Sequence, residues 1–144
     1  MIKVDSRKIM PGDTFVALRG VDVDGHNFIQ KAIENGATKI ICEEGSYSVP
    51  TMIVKDTREY LIDYLRNTYG DELKKIKIIG ITGTNGKTTT AFLIHKALNK
   101  LGKKCGYIGT IGFYIDEKIR PLNNTTPDVY DIFEIFMECI NKNC

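Results

Sequence analysis

The stretch TGTNGKTTT at residues 82–90 constrains this chain more than any other feature. It follows the apolar run KIKIIGI and precedes AFLIHKALNKLG, whose apolar residues recur at helical spacing. An apolar strand, a glycine-rich turn and a helix that opens with lysine and threonine are the parts of a phosphate-binding loop. Glycines let the backbone turn so that its N–H groups point inward, and the helix start adds a partial positive charge.

The loop is a variant of the commonest phosphate-loop pattern. The strict form G-x(4)-G-K-[ST] is not met, because Ile81 occupies the position of its first glycine. The glycines present are Gly80, Gly83 and Gly86. In the variant G-T-N-G-K-T, Lys87 is expected to reach the β- and γ-phosphates and the Thr88 hydroxyl to coordinate magnesium. The loop therefore predicts a bound nucleotide phosphate and Mg²⁺.

Residues 1–75 alternate between strand and helix signals and predict a small α/β domain. The predicted strands are GDTFVAL (12–18), KIICEE (39–44) and TMIVKD (51–56). The predicted helices are HNFIQKAIENGA (26–37) and TREYLIDYLRNTYG (57–70). Thr57 is the expected N-cap of the second helix and Gly70 its expected end.

Residues 76–144 predict the start of a mostly parallel α/β domain of the phosphate-loop type, after a junction at LKK (73–75). The predicted elements are a strand at 76–82, a helix at 87–101, a strand at 104–111 and a hairpin or loop excursion in FYIDEKIRPL. The stripe expected to pack the helix is Ala91, Ile94, Leu98 and Leu101.

A final helix is predicted after Thr126-Pro127-Asp128, with the threonine as N-cap. One side of it carries Val129, Ile132, Phe133, Phe136 and Ile140. Little sequence is left to cover this stripe, and a doubly wound sheet needs more strands than this segment supplies. We therefore expect a truncated domain, or self-association through the last helix.

Charge and composition exclude several classes of protein. The formal charge of +2 is too small to indicate a nucleic-acid partner. No signal peptide opens the chain, and no apolar run approaches the roughly 18 residues that a membrane helix needs. The four cysteines form no CxxC pair and no Cys/His cluster typical of zinc. These observations indicate a soluble cytoplasmic protein.

The loop TGTNGKTTT resembles the nucleotide loop of the Mur ligases, the ATP-dependent amide ligases that build the peptidoglycan stem peptide. Folate-polyglutamate and cyanophycin-type ligases carry close variants of it. Three further segments carry the resemblance. The segment DSRKIMPGDTFVALRGVDVDGHNF (5–28) is similar to the N-terminal domain shared by the Mur ligases that add the third residue and the terminal dipeptide of the stem. The segments YIGTIGFYI (107–115) and NNTTPD (123–128) resemble the Mur ligases that add the third residue. The resemblance covers nearly all of the chain.

The resemblance implies a set of site residues. Those matching the ATP loop are Gly83, Thr84, Asn85, Gly86, Lys87, Thr88 and Thr89. Those matching contacts to the uridine nucleotide are Val4, Ser6, Val21, Asp22 and Val23. Those matching contacts to the UDP-muramoyl substrate are Asn124, Thr125 and Thr126. By the same resemblance, Lys87 is the catalytic residue and Thr88 binds the metal. The 21–23 stretch departs from the polar side chains of some members, which leaves backbone contacts there.

Structural readings stay open for several of these positions. Ser6 is also suited to capping a turn, and Arg7 to pairing with a neighbouring acid. His26 is suited to starting a helix rather than to chemistry. Glu43 and Glu44 are adjacent in a strand, so their side chains point to opposite faces and do not form an acid–base pair.

The implied reaction activates the carboxylate of UDP-N-acetylmuramoyl-L-alanyl-D-glutamate with ATP and Mg²⁺. A diamino acid then attacks the acyl phosphate and releases phosphate. This activity belongs to peptidoglycan and cell-wall biogenesis, and through it to cell shape and division. The expected domains are a UDP-substrate-binding domain at 1–75 and an incomplete ATP-binding domain at 76–144. The family's C-terminal domain, which holds the amino acid, is absent from this sequence, so we expect an inactive fragment.

Two alternatives remain at this stage. One is a fragment of the dipeptide-adding Mur ligase or of a polyglutamate-type ligase. The other is a non-catalytic module that binds a UDP-sugar or a nucleotide.

Overall fold

The computed structural model describes residues 1–20, 23–122 and 127–144 of the chain. Two units follow one another, Met1–Thr68 and Tyr69–Cys144. In these described ranges, no helix combines the length and the apolar character needed to cross a membrane.

The first unit is built on a four-stranded parallel sheet, ordered as in the sequence. Its strands are β1 (Ile2–Lys3), β2 (Thr14–Val16), β3 (Lys39–Cys42) and β4 (Thr51–Ile53). A 3-10 turn at Gly25–Phe28 and helix α1 (Ile29–Glu34) connect β2 to β3. One face of the sheet packs on α1, and the core there comprises Ile9, Phe15, Ala17, Ile29, Ala32, Ala37, Ile40 and Cys42. The predicted strands and first helix are confirmed.

Helix α2 (Thr57–Leu73) begins with a cap that differs from the prediction. Asp56 is the capping residue, because its carboxylate accepts the backbone N–H groups of Arg58 and Glu59 at 2.8 and 2.9 Å. Thr57 is the first helical residue, so its prediction as N-cap is wrong. An acid one position earlier in the chain outcompetes the threonine for these N–H groups.

The end of α2 also differs from the prediction, since the helix continues three residues past Gly70. A glycine inside a helix costs only about 1 kcal/mol relative to alanine, which is not enough to end one. The Gly70 carbonyl accepts the N–H of Lys74 at 3.2 Å, and Lys74 pairs with Asp71 at 2.8 Å. These bonds extend the helix through the glycine.

The second unit combines two further helices with a three-stranded antiparallel sheet. Helix α3 is Lys87–Lys100 and α4 is Val129–Asn141. The strands are β5 (Tyr107–Gly109), β6 (Gly112–Tyr114) and β7 (Lys118–Arg120). A core of Phe113, Ile115, Ile135 and Cys139 joins β6 to α4. The fold class, α/β with a parallel sheet, is confirmed. That parallel sheet is in the first unit.

The strand predicted at 76–82 is wrong for the described residues. Residues 76–86 form no strand, and Ile78 and Ile79 are 61% and 62% exposed. A strand exists only when a neighbour pairs with its backbone, and the described strands of this unit pair with one another instead. The apolar composition of the segment predicted a strand, but composition carries no information about which strand would pair with it.

Helix α3 packs through a different face from the predicted stripe. Ala91, Ile94 and Leu98 are half-buried and Leu101 is 74% exposed, whereas His95 is only 1% exposed. The packed face follows Phe92, His95 and Asn99. A count of aliphatic residues missed it, because histidine and asparagine are buried only where their polar atoms find partners.

Helix α4 begins two residues later than predicted, at Val129 instead of Pro127. Its N-cap is Asp128, whose carboxylate accepts the Val129 N–H at 2.6 Å, so the assignment of that cap to Thr126 is wrong. Pro127 therefore precedes the helix rather than opening it. The predicted apolar stripe of α4 is half-buried, while Tyr130, Ile135 and Cys139 are its most buried residues.

Candidate functional site

The glycine-rich loop ends in a backbone conformation that suits glycine. Gly83 and Gly86 have φ values of +150° and +75°, and Gly86 is the left-handed N-cap of α3. A Cβ added at Gly86 would meet nothing closer than the Thr90 hydroxyl at 3.9 Å. The requirement for glycine at this position is therefore conformational rather than spatial.

The start of α3 presents backbone donors to the loop. The first intrahelical bond runs from the Thr90 N–H to the Gly86 carbonyl at 2.9 Å. The N–H groups of the preceding turn have no helical acceptor, and among the described residues no side chain caps them. No acidic residue lies in the first turn. These donors and the helix dipole together form a site suited to an anion.

Lys87 is folded back over the loop. Its Nζ donates to the Gly83 carbonyl at 2.6 Å, which brings the ammonium group to the start of the glycine-rich turn. Thr84, Asn85 and Gly86 are exposed between these two residues. The Lys87 ammonium group, the backbone N–H groups at the start of α3 and the exposed glycine-rich turn therefore lie close together.

The Thr88 hydroxyl has a neighbour that the sequence did not indicate. Its Oγ1 lies 3.3 Å from the Oγ1 of Thr110, which is 22 residues further along the chain. A hydroxyl at the start of this helix fits Mg²⁺, because hard cations take oxygen ligands and retain water and phosphate oxygens for the remaining positions. Thr89 is exposed and directly follows.

The residues predicted to contact the uridine nucleotide lie in the first unit. Val4 is half-buried just after β1, and Ser6 is 6% exposed at the start of a 3-10 turn, Ser6–Lys8. The Asn35 side chain donates to the Ser6 carbonyl at 2.8 Å. The cap of this turn is Asp5 rather than Ser6, since the Asp5 carboxylate accepts the N–H of Arg7. The backbone of Ser6 is therefore held in place by groups other than its hydroxyl.

Arg7 pairs with a neighbouring acid, as the sequence suggested. Its guanidinium pairs with Asp5 at 2.9 Å and is exposed. The Arg7 side chain is the main cause of a lowered pKa for Asp5, with the Arg7 N–H contributing in the same direction.

The residues that flank positions 21 and 22 pair with each other. Arg19 and Asp24 form an isolated antiparallel bridge, and the Gly20 N–H donates to the Val23 carbonyl at 3.0 Å. Val23 is 57% exposed. Val21 and Asp22 lie outside the described residues, as do Asn124, Thr125 and Thr126 of the predicted substrate set.

A charged cluster beside this segment was missed by the sequence reasoning. Arg19 contacts Glu43 at 2.9 Å, Glu44 at 2.7 Å and Asp24 at 3.9 Å. Both carboxylates that follow β3 thus converge on one guanidinium, although adjacent strand residues point to opposite faces. Glu43 and Glu44 lie beyond the last residue of β3, Cys42, so strand alternation does not apply to them.

His26 locks the same cluster through both ring nitrogens. Its Nε2 accepts the Glu43 N–H at 2.9 Å, so Nδ1 carries the proton that is donated to the Asp24 carboxylate at 2.7 Å. Asp24 also accepts the His26 N–H, and this bond is the largest cause of its lowered pKa. The histidine therefore has a structural role, but it bridges Asp24 and Glu43, and the helical turn is capped by Asp24.

The chain matches known proteins over both units. The profile of the Mur ligase family, catalytic domain, matches residues 1–69, and that of the Mur ligase middle domain matches residues 81–144. A UDP-N-acetylmuramoyl-L-alanyl-D-glutamate–2,6-diaminopimelate ligase of Chlorobium phaeobacteroides is 42% identical over 149 residues, covering 100% of this chain and 29% of the relative. The chain thus spans less than a third of the length of the curated relatives it matches.

Solved structures resemble the chain to different extents. A structure of a UDP-N-acetylmuramoyl-L-alanyl-D-glutamate–2,6-diaminopimelate ligase matches with a TM-score of 0.75 at 28% identity, covering 99% of this chain and 30% of that one. A MurF ligase from Thermotoga maritima in complex with ADP matches with a TM-score of 0.56 at 32% identity, covering 69% of this chain and 23% of that one.

Proposed function

Because the chain belongs to the Mur ligase family, we propose that it is the amino-terminal part of an ATP-dependent ligase of peptidoglycan synthesis. The ligase adds a diamino acid to UDP-N-acetylmuramoyl-L-alanyl-D-glutamate. The observation that carries this proposal is the loop at the start of α3, with Lys87 held over Gly83 at 2.6 Å. The names of the matching relatives supply the substrate.

The two parts of the chain have different tasks in this proposal. Residues 1–75 hold the UDP-muramoyl-dipeptide, with Val4, Ser6 and the 21–23 stretch contacting its uridine nucleotide. Residues 76–144 hold ATP through Gly83–Thr89 and contact the muramoyl substrate through 124–126.

The reaction transfers the γ-phosphoryl group of ATP to the substrate carboxylate, and ADP leaves. The amine of the diamino acid then attacks the acyl phosphate, and phosphate leaves with formation of an amide. Phosphoryl transfer depends mostly on positioning and on neutralising the charge of the phosphate oxygens. Lys87 exchanges the Gly83 carbonyl for a phosphate oxygen, and the N–H groups at the start of α3 bind the neighbouring oxygens.

Magnesium is the cation that fits the hydroxyl of Thr88. When bound, it would supply positive charge that offsets the charge of the phosphate oxygens during transfer. Thr88 would hold it through its hydroxyl oxygen. In cells the reaction takes place in the cytoplasm and contributes to cell shape and division.

The dipeptide-adding Mur ligase is the second candidate. The difference in coverage favours the diaminopimelate-adding ligase, since its solved structure matches 99% of the chain and the MurF structure 69%. A non-catalytic nucleotide-binding module remains the third candidate. It shares the ATP site but not the muramoyl peptide, so substrate binding separates it from the ligase.

Calorimetric titration with Mg-ATP tests the loop. A hydrogen bond to a charged group contributes about 1.5–3 kcal/mol, so Lys87→Ala should weaken binding by roughly ten- to a hundredfold. Lys100→Ala is the matched control, because Lys100 is an exposed lysine at the other end of the same helix. Equal affinities of the two variants would refute the assigned role of the loop.

Titration with UDP-N-acetylmuramoyl-L-alanyl-D-glutamate tests the ligase assignment. Ser6→Ala should weaken this binding several-fold, and Ser46→Ala, at an exposed loop position, should not. Binding of ATP without binding of the muramoyl peptide would favour the nucleotide-binding module instead.

A further inference from the structure

A contact between two hydroxyls links the phosphate loop to the β5–β6 hairpin. Thr88 Oγ1 and Thr110 Oγ1 are 3.3 Å apart, close enough for either to donate to the other. Thr110 lies in the two-residue turn between Gly109, the last residue of β5, and Gly112, the first residue of β6, which pair with each other. The turn therefore brings a second threonine to the residue predicted to hold the metal.

The hairpin is held against α3 on the same helix face as Thr88. Phe92 lies one turn after Thr88, and its ring meets the Tyr107 ring edge-on at 5.4 Å between centroids. Tyr107 is 3% exposed and begins β5. A Cβ at Gly109 would collide with the Tyr107 phenol, so glycine is needed where the turn begins.

The segment entering β5 is tied to α3 as well. His95 donates through Nδ1 to the Cys105 carbonyl at 2.7 Å, and the Asn99 side chain bonds the same carbonyl and the Cys105 N–H, each at 3.0 Å. Aromatic packing and these bonds fix the hairpin relative to the helix. The position of Thr110 beside Thr88 is thus determined by several buried contacts.

The hydroxyl contact itself has little value for stability. Thr110 is exposed and Thr88 half-buried, so water competes for both groups. A hydrogen bond that exchanges with water contributes little to the free energy of folding. Its consequence is instead directional, because a hydroxyl has one proton and two lone pairs.

We propose that Thr110 is a positioning residue for the Mg²⁺–nucleotide site, an inference that rests on the proposed function. The Thr110 oxygen accepts the proton of the Thr88 hydroxyl. This turns a lone pair of Thr88 away from Thr110 and makes it available to the cation. The hairpin thereby orients a metal ligand that belongs to α3.

Nucleotide titrations of the 144-residue chain with and without metal test this role. Thr110→Val removes the hydroxyl and keeps the shape of the side chain. Valine should be tolerated there because Thr110 does not have a positive φ. Among the described residues, Asn143 is the non-glycine residue with that conformation. We expect Thr110→Val to weaken ATP binding in excess Mg²⁺ by about three- to tenfold and to leave binding in EDTA unchanged. Thr110→Ser should bind like the original chain.

Each other outcome overturns the inference. Unchanged Mg-ATP affinity of Thr110→Val would show that the contact does not orient the ligand. An equal loss with and without Mg²⁺ would indicate altered packing of the hairpin instead. If the original chain binds ATP with the same affinity with and without Mg²⁺, the role of Thr110 in positioning a metal ligand is refuted, although the ATP site is supported. If it binds no ATP in either condition, the proposed function fails as well.

Discussion

Two adjacent glutamates, Glu43 and Glu44, should differ sharply in what they contribute to stability. Glu43 Oε1 accepts both the N–H and the hydroxyl of Thr57 at 3.1 Å, and Thr57 is fully buried. The side chain of Glu43 is 18% exposed, whereas that of Glu44 is 74% exposed. Both pair with Arg19, so this ion pair does not distinguish them.

The magnitude follows from these contacts. Removing a charged acceptor from buried donors costs about 1.5–3 kcal/mol, and the loss of the partly exposed ion pair adds about 0–1 kcal/mol. We therefore expect Glu43→Ala to destabilise the first unit by about 1.5–4 kcal/mol, against about 0–1 kcal/mol for Glu44→Ala. Glu43→Gln retains an oxygen acceptor and should fall between them.

Hydrogen exchange of the 144-residue chain, followed by mass spectrometry, measures the effect where it arises. Amides at the start of α2 should exchange about tenfold or more faster in Glu43→Ala, and near their original rate in Glu44→Ala. Amides of α4 serve as the internal control. Equal changes in the two variants would refute the assignment of Glu43 as the acceptor for Thr57.

Three further predictions concern packing, pH and association. Gly106→Ala places a Cβ 2.7 Å from the Cys139 sulfur and should cost about 1–3 kcal/mol in urea unfolding, while Gly70→Ala, in open space within α2, should stabilise by about 0.5–1 kcal/mol. Burial lowers the pKa of His95, and among the described residues its Nε2 has no hydrogen-bond partner. The unfolded chain therefore binds the extra proton more readily than the folded chain. The contribution of neutral His95 to the free energy of unfolding is complete above about pH 6.5 and is lost as the pH falls below that value. Hydrogen exchange of α3, corrected for pH, should show this loss, and His95→Phe should abolish the pH dependence. Self-association through α4 predicts a dimer in sedimentation equilibrium that Phe136→Glu dissolves, and a monomer at all concentrations would exclude it.

The elements with strong local signals were predicted well. The glycines, lysine and threonines of the loop define a turn and a helix start by their own backbone preferences, and the strands of the first unit follow from short apolar runs between turns. The ends of α2 and α4 were predicted less well. The N–H groups at the two helix starts are accepted by aspartates, Asp56 for α2 and Asp128 for α4, instead of the threonines that the sequence suggested.

The sequence by itself determined the glycine-rich turn and the helix start that follows it, because glycine conformation, helix polarity and a lysine four residues after Gly83 are all local properties. It also determined the family resemblance through motifs that are continuous in the chain. Only the tertiary structure decided that Thr110 lies beside Thr88, that Arg19 joins both glutamates, and that residues 76–82 remain unpaired. These contacts join residues 22 or more positions apart, or depend on a partner strand, and no local pattern records which distant backbone or side chain arrives.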